Sequence, residues 1–137
     1  MQKKKYDKLE QIESLARRLM ATHAPGVVLA LYAKPLTTAT VDGPNLTEDG
    51  PVHTIYWRPQ DGLTCLLHEI GHGHVKEPPE PIHPDIKQLF DEVWAWVWAE
   101  ETARAENLNF DYRAADKSFG SYTRPLGLPI RLRWRYA

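Results

Sequence analysis

From Tyr6 to His23 the apolar residues Leu9, Ile12, Leu15, Ala16 and Leu19 recur three and four positions apart, with charged residues between them. That spacing predicts an amphipathic helix, which "APG" at 24–26 ends. "VVLALYA" at 27–33 is β-branched and aromatic and predicts a strand; a second is expected near 36–41, and "VHTIYW" at 52–57 alternates well enough to be a third. "DGPN" and "EDGP" between them are read as turns. A helix is then expected through "GLTCLLHEIGHGHV" with Asp61 as its cap. Prolines at 78, 79, 81 and 84 separate it from the next helix, which Pro84 suits as a first position and which holds its periodicity to about Asn107. A short helix is expected near 111–119. In the final run, "PIRLRWRYA", Ile130, Leu132, Trp134 and Tyr136 alternate with Arg131, Arg133 and Arg135, predicting a half-buried strand with one basic face.

The order helix, sheet, helix, helix, tail is that of an α+β fold with a sheet of three or more strands. At 137 residues the chain is long enough for one core and too short for two, so residues 1–137 are read as a single domain carrying a basic, aromatic segment at 111–137. A 42% hydrophobic composition excludes wholesale disorder. Cys65 is the single cysteine, which fits a reducing cytosol. The charged N-terminal stretch lacks the apolar core of a signal peptide, and no run approaches the roughly 18 apolar residues of a membrane span, so a cytoplasmic protein with no membrane contact is expected. Nothing in the sequence sets an oligomeric state. Charge is divided unevenly: residues 42–106 carry thirteen acids against four bases, and residues 112–137 six bases against one acid.

The chemistry concentrates in "LTCLLHEIGHGHVKE", which with His83 holds four of the six histidines. His68, Glu69 and His72 form H-E-x-x-H. Residues four apart on a helix lie on one face, so the two imidazoles can chelate one Zn²⁺ while Glu69 acts as general base on a metal-activated water and general acid to the leaving amine. The other face of this helix is apolar (Leu63, Leu66, Leu67, Ile70), and Gly71 and Gly73 would admit a neighbouring backbone. A zinc site of this kind needs a third protein ligand. Glu92 shares a stripe with Ala95, Trp96 and Ala99 on the long helix, and the small residues would let that stripe approach the histidine helix; Asp91, Glu100 and Glu101 compete with it.

These residues resemble the ImmA/IrrE-type metallopeptidases of bacteria, phages and mobile elements. The likeness runs from "TIYWRP" through "LTCLLHEIGHGHV" to "EVWAWVWAEE", where Glu92, Ala95, Trp98 and Ala99 match that family's "ExxAxxFA"-like helix. It implies a small zincin-like domain with a mixed sheet, Glu92 as third zinc ligand, and zinc-dependent endopeptidase activity on a protein or peptide substrate such as a transcriptional repressor. The basic, aromatic end after Phe110 lies outside the resemblance.

Several residues carry weaker expectations. His83 and Tyr112 are candidates to steady a tetrahedral oxyanion, with Arg113 and Tyr122 as alternatives the sequence does not rank. His74 turns about 200° from His72 and is read as surface or outer support, and Cys65 as a packing residue. Among the tryptophans, Trp96 takes the metal-facing stripe and Trp94 is the one expected at the surface. If "VHTIYW" lies at a sheet edge it could receive an extended peptide by strand addition. A second class of function is a regulatory protein that uses a zincin fold to capture a repressor or host defence protein without proteolysis. Nucleic-acid contact through Arg131, Arg133 and Arg135 ranks below both, because the site itself is acidic.

Overall fold

The apolar stripe of the first helix, α1 (Leu9–His23), buries Leu15, Ala16, Leu19 and Met20 and leaves the charged residues between them in solvent. The computed structural model describes residues 8–31, 40–47, 50–76 and 78–137. Gly26, at φ +84°, turns the chain after α1 into strand β1 (Val28–Leu31). Strands β2 (Thr40–Thr47) and β3 (Gly50–Trp57) follow, and the sheet runs β1-β3-β2. β3 pairs parallel with β1, Val28 opposite Thr54 and Leu31 opposite Trp57, and antiparallel with β2.

Two expectations change here. "DGPN" at 42–45 is not a turn but part of β2, and the pairing with β3 shifts register between Asp42 and Asn45. A proline cannot donate to a ladder, and an edge strand tolerates it by bulging at that point. The strand expected near 36–41 is realised in the described residues only from Thr40 onward; residues 32–39 lie outside them, as do Glu48 and Asp49 of "EDGP", whose Gly50 and Pro51 belong to β3. β3 is moreover the central strand, paired on both sides over residues 54–56, so that part of "VHTIYW" offers no free edge for strand addition.

The Trp57 indole donates from Nε1 to the Gly62 carbonyl oxygen at 2.8 Å and so ties the end of β3 to helix α2 (Gly62–His72). Asp61 stands at the N-cap position, yet its carboxylate accepts from the Arg58 backbone N–H (2.8 Å) and guanidinium (3.0 Å) instead of capping a helix amide. Helix α3 (Pro84–Ala105) is capped by His83, and α4 (Tyr112–Thr123) by Asp111, which accepts from the Ala114 N–H at 3.0 Å. Ile55 and Trp57 of β3, Leu66, Leu67 and Ile70 of α2, Trp96 and Ala99 of α3 and Phe119 of α4 join the α1 stripe in one core. Among the described residues no helix is long and apolar enough to cross a membrane.

The C-terminal run is not a strand. Arg131, Arg133 and Arg135 face solvent and Leu132, Trp134 and Tyr136 are half-buried, as the alternation requires, but Ile130 is exposed and no strand lies beside the run among the described residues. The backbone N–H groups of Arg135 and Tyr136 donate instead to the buried carboxylate of Glu100, at 2.9 and 3.0 Å. A side chain thus satisfies donors that a sheet would otherwise have taken.

Candidate metal centre

Helices α2 and α3 meet at Gly71. A Cβ there would stand 2.6 Å from the Ala95 carbonyl oxygen and 3.2 Å from Trp98 Cε3, so the close approach depends on the missing methyl. Gly73, expected to act likewise, has only the carbonyl oxygen of Ile70 nearby, at 3.4 Å, and marks the end of α2.

This contact carries Glu92, one turn earlier on α3, to the face of α2 that holds the histidines. The ligating atoms of His68, His72 and Glu92 lie within 4.8 Å of one another, close enough to hold a single metal ion. Glu92 bridges the pair: Oε2 is 2.9 Å from His68 Nε2 and Oε1 is 3.2 Å from His72 Nε2. The two imidazole rings are 4.7 Å apart. On its other side the His68 ring lies flat on the indole of Trp96, centroids 4.0 Å apart and planes 6° from parallel. Glu69 is buried beside them, with Oε1 3.3 Å from His68 Nδ1.

The electrostatics follow from this packing. Burial disfavours a charged imidazole at His68, but the hydrogen bonds and charges of Glu69 and Glu92 outweigh it and push its pKa up to about 9. Burial likewise favours a neutral Glu92, and the hydrogen bonds from His68 and His72 reverse this, bringing the carboxyl down to about 2. Without a metal, a proton on His68 therefore supplies the positive charge that the carboxylates require. Two nitrogens and one oxygen converging on a common point, with a second carboxylate next to them, form a donor set that suits a borderline-soft divalent cation.

The competitors of Glu92 are engaged elsewhere. Asp91 pairs with Lys87 at 3.2 Å and Glu101 with Arg135 at 3.1 Å, while Glu100 binds the C-terminal amides. His83 uses Nδ1 to accept from the Asp85 N–H at 3.2 Å, and its ring is otherwise exposed, so its place is the start of α3. The Tyr112 hydroxyl donates to Glu100 Oε2 at 2.8 Å, and burial together with that carboxylate pushes its pKa up to about 12. It is thereby held two turns of α3 beyond Glu92.

Tyr122 differs from both. Its hydroxyl is buried with no hydrogen-bond partner among the described residues, and its pKa is raised by burial and then by the charges of Glu92, Asp85 and Asp91. No sequence signal separated it from Tyr112. His74 donates from Nε2 to the His23 carbonyl oxygen at 2.6 Å and stacks on Trp98, so it joins α2 to the end of α1. Cys65 is half-buried, and burial followed by the charges of Asp61, Glu69 and Asp111 pushes its thiol up to about 11, far from a reactive thiolate. Trp94 is 49% exposed, as its position on α3 predicts.

Comparison with known proteins returns no matching family model, no matching curated protein and no matching solved structure.

Proposed function

We propose that the protein is a zinc-dependent endopeptidase with a zincin-like fold, acting in the cytoplasm on a peptide bond of a protein substrate. A transcriptional repressor is the substrate class suggested by the resemblance to ImmA/IrrE-type metallopeptidases. The observation that supports this reading is the convergence of His68, His72 and Glu92 within 4.8 Å, with the Glu69 carboxylate beside them. His68 Nε2, His72 Nε2 and one Glu92 oxygen would hold the ion, which when bound supplies Lewis acidity and activates water near neutral pH.

The chain's own groups do the rest. Glu69 takes a proton from the attacking water as its oxygen bonds to the scissile carbonyl carbon. It then delivers that proton to the departing nitrogen as the C–N bond breaks. Trp96, flat against His68, fixes the ring plane of that ligand and keeps water from its face. Glu92 is held by α3 and needs no rearrangement to reach both imidazoles.

Metal analysis and peptide hydrolysis test the proposal together. The purified protein is expected to bind one zinc per chain, and His68→Ala or His72→Ala to abolish binding. Glu69→Gln should keep the metal and lose roughly 10²–10⁴ in turnover, the usual contribution of a positioned acid–base group. Hydrolysis that survives Glu69→Gln, or zinc content indifferent to both histidines, would falsify it.

A further inference from the structure

A cavity of about 400 Å³ lies directly against Glu69 and His72, on the side toward the sheet. Its wall is drawn from three distant parts of the chain: Ala24, Pro25 and Val27 from the turn joining α1 to β1, Ile55 from β3, and Ile70 from α2. Whatever fills it is in reach of the carboxylate assigned above as the proton carrier.

The chemistry of the wall selects what that can be. Three further imidazoles border the cavity, but two have their Nε2 committed within the protein. His23 bonds from Nε2 to Glu106 at 3.0 Å, and His74 donates from Nε2 to the His23 carbonyl oxygen while its ring stacks on Trp98. His53 is exposed on β3. Among the described lining residues there is no lysine or arginine, and Glu69 is the one carboxylate. An acidic group would therefore face the Glu69 carboxylate with no lysine or arginine on the described wall to offset the repulsion, and a basic group would pair with Glu69 and take it out of proton transfer. Neutral apolar groups meet neither obstacle and gain from Val27, Ile55 and Ile70. The volume falls near the lower end of small-molecule pockets, roughly 300–1,000 Å³, which suits one large side chain with its flanking backbone.

We propose that this cavity is the specificity pocket of the site and receives a bulky apolar side chain (leucine, methionine or phenylalanine) from the residue adjoining the scissile bond. The assignment rests on the endopeptidase reading for the words "scissile bond" and on the cavity itself for the side chain.

Methyl NMR separates the two. N-acetyl amides of leucine, phenylalanine, glycine, aspartate and lysine are titrated into the full-length protein, metal-free and zinc-loaded, with the methyl signals of Val27, Ile55 and Ile70 as readout. The leucine and phenylalanine amides are expected to shift these signals and to bind at least ten-fold more tightly than the other three, a ratio typical of an apolar pocket. Ala24→Phe and Val27→Trp, two independent ways to fill the cavity, should each abolish that preference without changing the zinc content. A peptide library digested by the wild type should be cut beside bulky apolar residues, and the filled variants should lose at least ten-fold at those bonds. Preferred binding of the aspartate or lysine amide, silent methyls, or a preference unchanged in both variants would overturn the pocket. Hydrolysis with no bias for apolar neighbours overturns the pocket alone. Leucine-amide binding without hydrolysis of any peptide overturns the endopeptidase reading and with it the link to a scissile bond.

Discussion

His68 is the residue on which the site's response to pH turns. In the metal-free protein its imidazole binds a proton up to about pH 9, because the carboxylates of Glu69 and Glu92 outweigh the cost of burying the charge. A metal needs that nitrogen deprotonated. Zinc binding at pH 7 is therefore expected to release close to one proton per site, read by calorimetry in buffers of different ionisation enthalpy, and affinity should fall as pH drops. The same shift acts on folding. A pKa raised from about 6.5 to about 9 adds stability that is fully present below pH 6.5 and is lost as pH rises through 9. The Tm of the metal-free protein should accordingly decline between pH 6.5 and 9, and the decline should be shallower in Glu92→Gln, which lacks one of the two carboxylates responsible. A flat profile in the wild type would show that His68 is not the charged partner.

Between elements, what matters is the distance separating α2 from α3. The 2.6 Å gap that a Cβ at Gly71 would find against the Ala95 carbonyl involves backbone, which cannot swing aside, so Gly71→Ala must push the helices apart. A loss of about 1–3 kcal/mol in urea unfolding is expected from such overpacking, together with weaker zinc binding in a chelator competition, because Glu92 moves away with α3. Gly73→Ala is the control: its Cβ finds nothing closer than 3.4 Å and its φ of −75° suits any residue, so a change within about 0.5 kcal/mol is expected. The spacing of His68, Glu69 and His72 was legible because a helix places residues four apart on one face whatever surrounds it. The stripe of Glu92, Ala95, Trp96 and Ala99 was legible for the same reason, and Ala95, Trp96 and Ala99 are all buried. "DGPN" was misread because a proline–glycine pair signals a turn locally, while pairing with β3 made it a bulge.

Across the whole molecule, the C-terminal run is joined to the site through aromatic contacts. Trp134 packs edge-on against Trp96 at 6.2 Å, and Trp96 lies on His68. Glu100 holds the run by accepting from Tyr112, Arg135 and Tyr136, and Arg104 covers the Tyr136 ring at 4.1 Å. Trp134→Ala should cost roughly 2–3 kcal/mol, below the ~3–5 kcal/mol of a fully buried tryptophan because Trp134 is only half-buried. It should also weaken zinc binding by freeing Trp96. Glu100→Gln should lose about 1.5–3 kcal/mol as three charge-assisted bonds weaken, and trypsin should then cut faster at Arg131, Arg133 and Arg135. Unchanged cleavage would mean that Glu100 does not hold the segment.

The alternation in that run specified which side chains turn inward, and Leu132, Trp134 and Tyr136 do, while Ile130 at its start stays exposed. Whether the backbone amides would pair with a strand or with a carboxylate was decided by what lay beside them, and that was Glu100, from a helix some thirty-five residues away in sequence. The same division holds for the site. Helical period alone aligned His68 with His72 and put Glu92 on a stripe that could approach them, because those relations are local and set by backbone geometry. Which of four carboxylates completed the group, which aromatic ring backed His68, and that an apolar cavity formed beside Glu69 depended on how α1, β3, α2 and α3 pack. Those are contacts between residues far apart in the chain, and no local period encodes them.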